Sequence, residues 1–230
     1  MGIGYTVDTP LKVSRWGIDA VMSIGDDALL ETLRKFYAEK NNLPYEEIPK
    51  SDIDHRAKRT TAYLNLINLL CRERFTTFKD ELSVNPQLRE EYFNLLPANA
   101  TLRIAYEEQK EAFTSPSVFR QWAEEHLQMG SLDVNIMTKA DKENYEEGEK
   151  LPAMYNDAHA ALRGYATSDL NSSIVFSAGM NPRLYSYTES FPDFFPDQQG
   201  QLRKKIVLKV SDFRSARIQG NFLAKKGLWV

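Results

Sequence analysis

Lys209 is the residue whose type and setting say most about chemistry. It lies in the run Lys205 to Ser211 (KIVLKVS), where Ile206, Leu208 and Val210 share one face and Val207, Lys209 and Ser211 the other. Both faces of a parallel strand are normally buried, so a lysine there needs an anionic partner, a ligand or a route to solvent. An anion contact and a Schiff-base amine are the two chemistries open to it. Asn135 is the second such residue, because it interrupts the apolar run Leu132 to Met137 (LDVNIM). A buried amide must find hydrogen-bond partners, and either a flat polar ligand at the strand end or the neighbouring strands and loops can supply them.

Ser177-Ala178-Gly179 closes a third apolar run, Ser173 to Ser177 (SIVFS), and reads either as a turn where backbone comes close to a ligand or as a plain strand-to-helix turn before Pro182. Neither GxGxxG nor GxxxxGK[ST] occurs, so both common nucleotide fingerprints are missing. His55, His126 and His159 are the only histidines, and each is placed on a helix with charged or small neighbours. No metal site and no Ser/His/Asp set is predicted from them.

These residues need a frame to bring them together. Apolar alternation predicts strands at Ile3 to Val7, Ala20 to Ile24, 132–137, 173–177, 205–211 and from Leu228 onward. Helical periodicity predicts a short Pro10-led helix closed by Gly17, then helices at 28–40, 51–78, 87–96, 100–113, 117–129, 157–165, 182–190 and 213–226. Glu143 to Lys150 reads as a solvated loop.

Strands alternating with helices imply parallel βα units, so the fold class is α/β. The chain divides into first βα units at 1–40, a helical insertion at 41–130, and further βα units at 131–230. In such folds ligands sit at the carboxyl ends of the strands, which places the candidate residues in one region.

Composition narrows the class. Of 230 residues, 42% are hydrophobic and 27% charged, and the formal net charge is -3, which speaks against nucleic-acid binding driven by bulk charge. One cysteine, Cys71, excludes an internal disulfide and points to a reducing, cytoplasmic setting. No run approaches the length of a membrane span.

The order of the motifs resembles the nitronate monooxygenase family of FMN barrels, which is itself related to the glutamate-synthase-like FMN barrels. Thr9-Pro10-Leu11 followed by Gly17-Ile18-Asp19-Ala20-Val21 is similar to the family's opening βαβ step. Val134-Asn135 is similar to its Val-Asn strand, and Ile174 to Gly179 to its strand ending in glycine. The resemblance covers about 1–40 and 131–230. It implies a TIM barrel and an FMN-dependent oxidoreductase acting on a small molecule. It also implies a cofactor lined by Thr6, Thr9, Asn135, Ser177, Gly179 and Lys209.

The family's Gly-Gly-His element and later Gly-rich phosphate turn have no counterpart before Val230, so the catalytic residue is unassigned. About 140 residues outside the helical segment suffice for five or six of eight βα units, and the expectation is a partial barrel. Two other readings stand beside it: a barrel lyase with Lys209 as Schiff-base amine, and an α/β module that binds a partner through 41–130.

Overall fold

The computed structural model describes residues 6–230. The predicted strand at Ile3 to Val7 falls mostly outside them. What is described begins beside β1 (Ala20–Ile24), where Ser23 N–H donates to the Thr6 carbonyl and the Thr6 hydroxyl donates to the Val21 carbonyl. Between these, α1 (Pro10–Val13) and a short 3-10 turn end at Gly17, whose φ of 76° is left-handed.

β1 leads into α2 (Asp27–Lys40). The Asp26 carboxylate accepts from the Ala28 and Leu29 N–H groups, which fixes the start of α2. α3 (His55–Val84) is a single 30-residue helix, followed by α4 (Pro86–Asn94), α5 (Thr101–Gln109) and α6 (Pro116–His126). Pro86 and Pro116 each occupy a first helical turn, where the missing N–H costs nothing.

Next come β2 (Leu132–Met137) and a small hairpin of β3 (Tyr145–Glu146) and β4 (Glu149–Lys150). They are followed by α7 (Asp157–Ala166), β5 (Ser173–Ser177), α8 (Pro182–Thr188), β6 (Lys205–Leu208) and α9 (Phe213–Ala224).

The fold is α/β. β1, β2, β5 and β6 form one parallel sheet in that order, so each crossover moves to the next strand in the same direction. Parallel crossovers are right-handed, which puts their helices on one face. Met22, Val134, Ile174 and Ile206 lie in register on that face and are buried, as are Ile24, Ile136 and Phe176 beside them. Ser23, Asn135, Val175 and Val207 form a row on the opposite face. There Val21 and Val207 are 41% and 44% exposed.

Two clusters hold the chain together, and α3 runs through both. Its first half puts Tyr63, Leu64, Ile67 and Leu70 into the core beneath the sheet, packed on α2 and α7. Its second half puts Phe78 and Leu82 among Tyr92, Phe93, Tyr106, Phe119 and Trp122. In that second cluster the Phe93 and Tyr106 rings stack 3.9 Å apart. Each such side chain contributes about 1.5–3 kcal/mol by leaving water. The apolar stripes of 87–126 therefore face one another.

Three expectations need correcting. The strand over 205–211 stops at Leu208, because only Lys205 to Leu208 pair with β5. Leu228, Trp229 and Val230 form no strand; Leu228 is buried, while Trp229 and Val230 are more than half exposed. Glu143 to Lys150 is an ordered hairpin rather than a bare loop, because Glu147 and Gly148 both take positive φ (49° and 86°), the requirement of a two-residue turn.

Candidate functional site

The carboxyl ends of β1, β2, β5 and β6 open onto a cavity of about 970 Å³. Asn135, Ser177, Gly179 and Lys209 all line it, together with Ser23, Met137, Lys139 and residues 178 to 180. Four of the six residues predicted from sequence thus come together. Thr6 sits one hydrogen bond away, with its carbonyl on the Ser23 N–H. Thr9 heads α1 and accepts from the Lys12 N–H, outside the lining. A second cavity of about 450 Å³ shares Ser23, Asn135, Met137 and Lys139 and extends toward Asp141, Lys142 and Asp157.

Asn135 projects from the middle of β2. Its Nδ2 donates to Ser23 Oγ at 3.2 Å, while its Oδ1 is buried with no partner. An unpaired buried acceptor costs about 1–3 kcal/mol, and it marks the place where a donor on a ligand would be welcome. Lys209 follows β6 and is exposed at the cavity wall, its N–H held by the Phe176 carbonyl. It is not enclosed within a two-sided sheet: it lies just past the end of β6, and on its face Val207 is 44% exposed.

Thr138 ties the ends of β2 and β5 together, its hydroxyl reaching the Ser177 and Gly179 carbonyls. Ala178 and Gly179 then turn with φ of 64° and 101°. A left-handed alanine is strained by about 1–2 kcal/mol, and this strain lies at the lip of the cavity. The Lys139 side chain lies across Gly179. No Asp or Glu lines the larger cavity, so Lys139 and Lys209 leave it positive.

Sequence reasoning missed two groupings. Asp141 sits at the start of α7, where its Oδ1 accepts from the Ala158 and His159 N–H groups. Its Oδ2 is 2.8 Å from His159 Nδ1, a short contact with the ring N–H poorly aligned. Burial pushes the Asp141 carboxyl up, but the His159 contact and the amide donors outweigh it and hold the pKa below the usual value. Asn181 Nδ2 donates to the Thr138 carbonyl, so this corner also anchors the loop bearing Lys139.

Lys204 is the other. It is fully buried, and its Nζ donates to the Tyr165 and Ser168 carbonyls at 2.9 and 2.8 Å, closing the end of α7. Burial lowers its pKa to about 8, with Asp193 opposing. Lys204 is not among the residues that line the cavity.

No known protein family, curated protein or solved structure matches this chain. Among the described residues, no helix is long and apolar enough to cross a membrane.

Proposed function

We propose that the chain is the flavin-binding part of an FMN-dependent oxidoreductase of the nitronate monooxygenase kind, built from parallel βα units of a barrel. The observation that carries the reading is Asn135 Oδ1, a buried orphan acceptor beside a positive, carboxylate-free cavity at the strand ends. The isoalloxazine edge has an N–H donor that suits this oxygen, and Lys209 is placed for the side of the ring that becomes anionic on reduction. Backbone at Ser177 to Gly179 lines the same space. When bound, the flavin supplies two-electron redox chemistry. The chain's own residues bind it, orient it and stabilise its reduced charge.

The unbroken strand order supports a barrel arrangement, since an open doubly wound sheet reverses its order at the ligand site. The smaller adjoining cavity suits a small-molecule substrate. No observation favours Lys209 as a Schiff-base amine. The lysine with the strongly lowered pKa is Lys204, whose amine is occupied by two carbonyls.

Titration of purified protein with FMN, followed by quenching of flavin fluorescence, tests the reading. Saturable binding that weakens at least about tenfold in Asn135→Ala and Lys209→Ala is expected. A folded protein unable to bind added FMN overturns it.

A further inference from the structure

The Asp141 carboxylate is fixed from several sides. Its Oδ1 accepts the Ala158 and His159 N–H groups, and Asn156 and Asn181 donate to Oδ2 at 3.4 and 3.5 Å. His159 is 3% exposed and sets its Nδ1 2.8 Å from that same Oδ2. Nδ1 is sealed from solvent, and Asp141 is the acceptor beside it, so Nδ1 carries the ring proton. Nε2 is then a free lone pair, and it hydrogen-bonds no described residue. A carboxylate that orients one imidazole nitrogen makes the other a proton acceptor.

His159 lines neither cavity at the strand ends. It lines an open depression of about 570 Å³ where α7 meets α8, together with Ser186 and Arg183 and with apolar walls from Met154, Pro182 and Tyr187. The His159 and Tyr187 rings are 5.4 Å apart, which sets the imidazole against the part of α8 that bears Ser186. The Thr60 and Thr188 hydroxyls each donate to a carbonyl one turn back in their helices. The Ser186 hydroxyl does not: it is exposed and bonds no described residue. Nor does the Arg183 guanidinium pair with a carboxylate among the described residues. A hydroxyl, an oriented base and a free cation thus share one depression, a set the sequence alone did not predict. Ser186 and His159 are not hydrogen-bonded in the free protein; such contacts tighten when substrate fills the site.

We propose that this depression is a second active site, which hydrolyses small acyl esters with Ser186 as nucleophile, His159 as general base and Asp141 as the residue that positions it. Ser186 Oγ adds to the ester carbonyl carbon while its proton passes to His159 Nε2. The tetrahedral adduct collapses, the C–O bond to the alcohol breaks, and the departing oxygen takes the proton from Nε2. Water then adds to the acyl-serine, giving a proton to Nε2, and the acid leaves as Ser186 Oγ takes that proton back. Arg183 meets the carbonyl oxygen as it becomes negative. Met154, Pro182 and Tyr187 receive a short apolar acyl chain. The proposal does not rest on flavin binding, and every group in it lies between residues 141 and 187.

The probes are a fluorophosphonate, which labels an activated serine by loss of fluoride, and p-nitrophenyl butyrate, whose hydrolysis is read by absorbance. Peptide mass spectrometry is expected to find the label on Ser186, and Ser186→Ala to abolish it and to lower kcat/KM at least about tenfold. Ser186 is exposed, so this variant keeps the fold, as its melting curve checks. His159→Gln is expected to lose labelling as well. Asp141→Asn offers an amide N–H to the ring and favours the wrong tautomer, so kcat should fall at least about tenfold with KM unchanged. A loss of folding alone would not split the two constants in this way. Absence of label, label on another serine, or ester hydrolysis undiminished in Ser186→Ala overturns the proposal. So does full labelling in a folded His159→Gln.

Discussion

Lys139 lies directly over Gly179: a Cβ built on the glycine would fall 2.7 Å from Lys139 Cε and 2.9 Å from its Nζ. The glycine also holds φ at 101°, a region L side chains rarely adopt. Its missing side chain therefore both permits the turn after β5 and leaves room for an amine at the cavity mouth. Gly179→Ala is expected to destabilise the protein by about 1–2 kcal/mol and to displace Lys139. Denaturant unfolding reads the first effect and the salt dependence of anion binding the second. Unchanged values for both would separate Gly179 from the site.

Asn135 gives the opposite pattern for stability. Replacing it with valine removes an unpaired buried oxygen but also the hydrogen bond to Ser23. The two nearly cancel, so stability should change by less than about 1 kcal/mol. Ligand affinity should fall at the same time. Calorimetric melting together with FMN titration measures both, and a large loss of stability would show that Asn135 serves the sheet rather than a ligand.

Lys204 sets a pH dependence. Its folded pKa of about 8 lies below the ordinary value of 10.5, so between those values the unfolded chain binds the extra proton. Its contribution to stability therefore rises with pH across that window and is unfavourable below it. Relative to Lys204→Met, wild type should gain about 1–2 kcal/mol between pH 8 and pH 10. The comparison with the variant removes the background from buried tyrosines such as Tyr37 and Tyr106, whose pKa values are pushed up to about 12, chiefly by burial, and which act in the other direction. A pH-independent difference would show that the Lys204 amine is solvated.

Gly164 is where α7 meets α3. A Cβ there would lie 2.5 Å from Thr60 Cβ and 2.7 Å from the Ala57 carbonyl oxygen. Backbone cannot yield as a flexible side chain does, so Gly164→Ala should cost about 2–3 kcal/mol through separation of the two helices. Equilibrium unfolding in urea measures it, and a neutral result would mean that the helices slide apart freely.

Much of this architecture was legible in the sequence because local signals agreed with their surroundings. LDVNIM and SIVFS become strands at the predicted bounds, and Pro10 and Pro182 lead helices where expected. Of the site, Asn135 was visible as a polar break in an apolar strand, and Gly179 as a glycine at a strand end. Lys209 was found for an incomplete reason, since sequence alternation shows neither that the strand stops at Leu208 nor that this face of the sheet is left open. Lys204 was not visible, because Arg203-Lys204-Lys205 reads as a solvated run and the carbonyls that take its amine come from residues 165 and 168. Asp141 and His159 were missed likewise: 18 residues separate them, and only the turn of the chain into α7 joins them.

The 30 residues of α3 span about 45 Å at the helical rise, and one end lies under the sheet while the other lies among the aromatic rings. A single rod shared by both clusters is a mechanical strut. Loosening Phe78 or Trp122 would be transmitted along it to Tyr63 and Leu64, so heat should melt sheet core and aromatic cluster in one calorimetric step, without a seam between them.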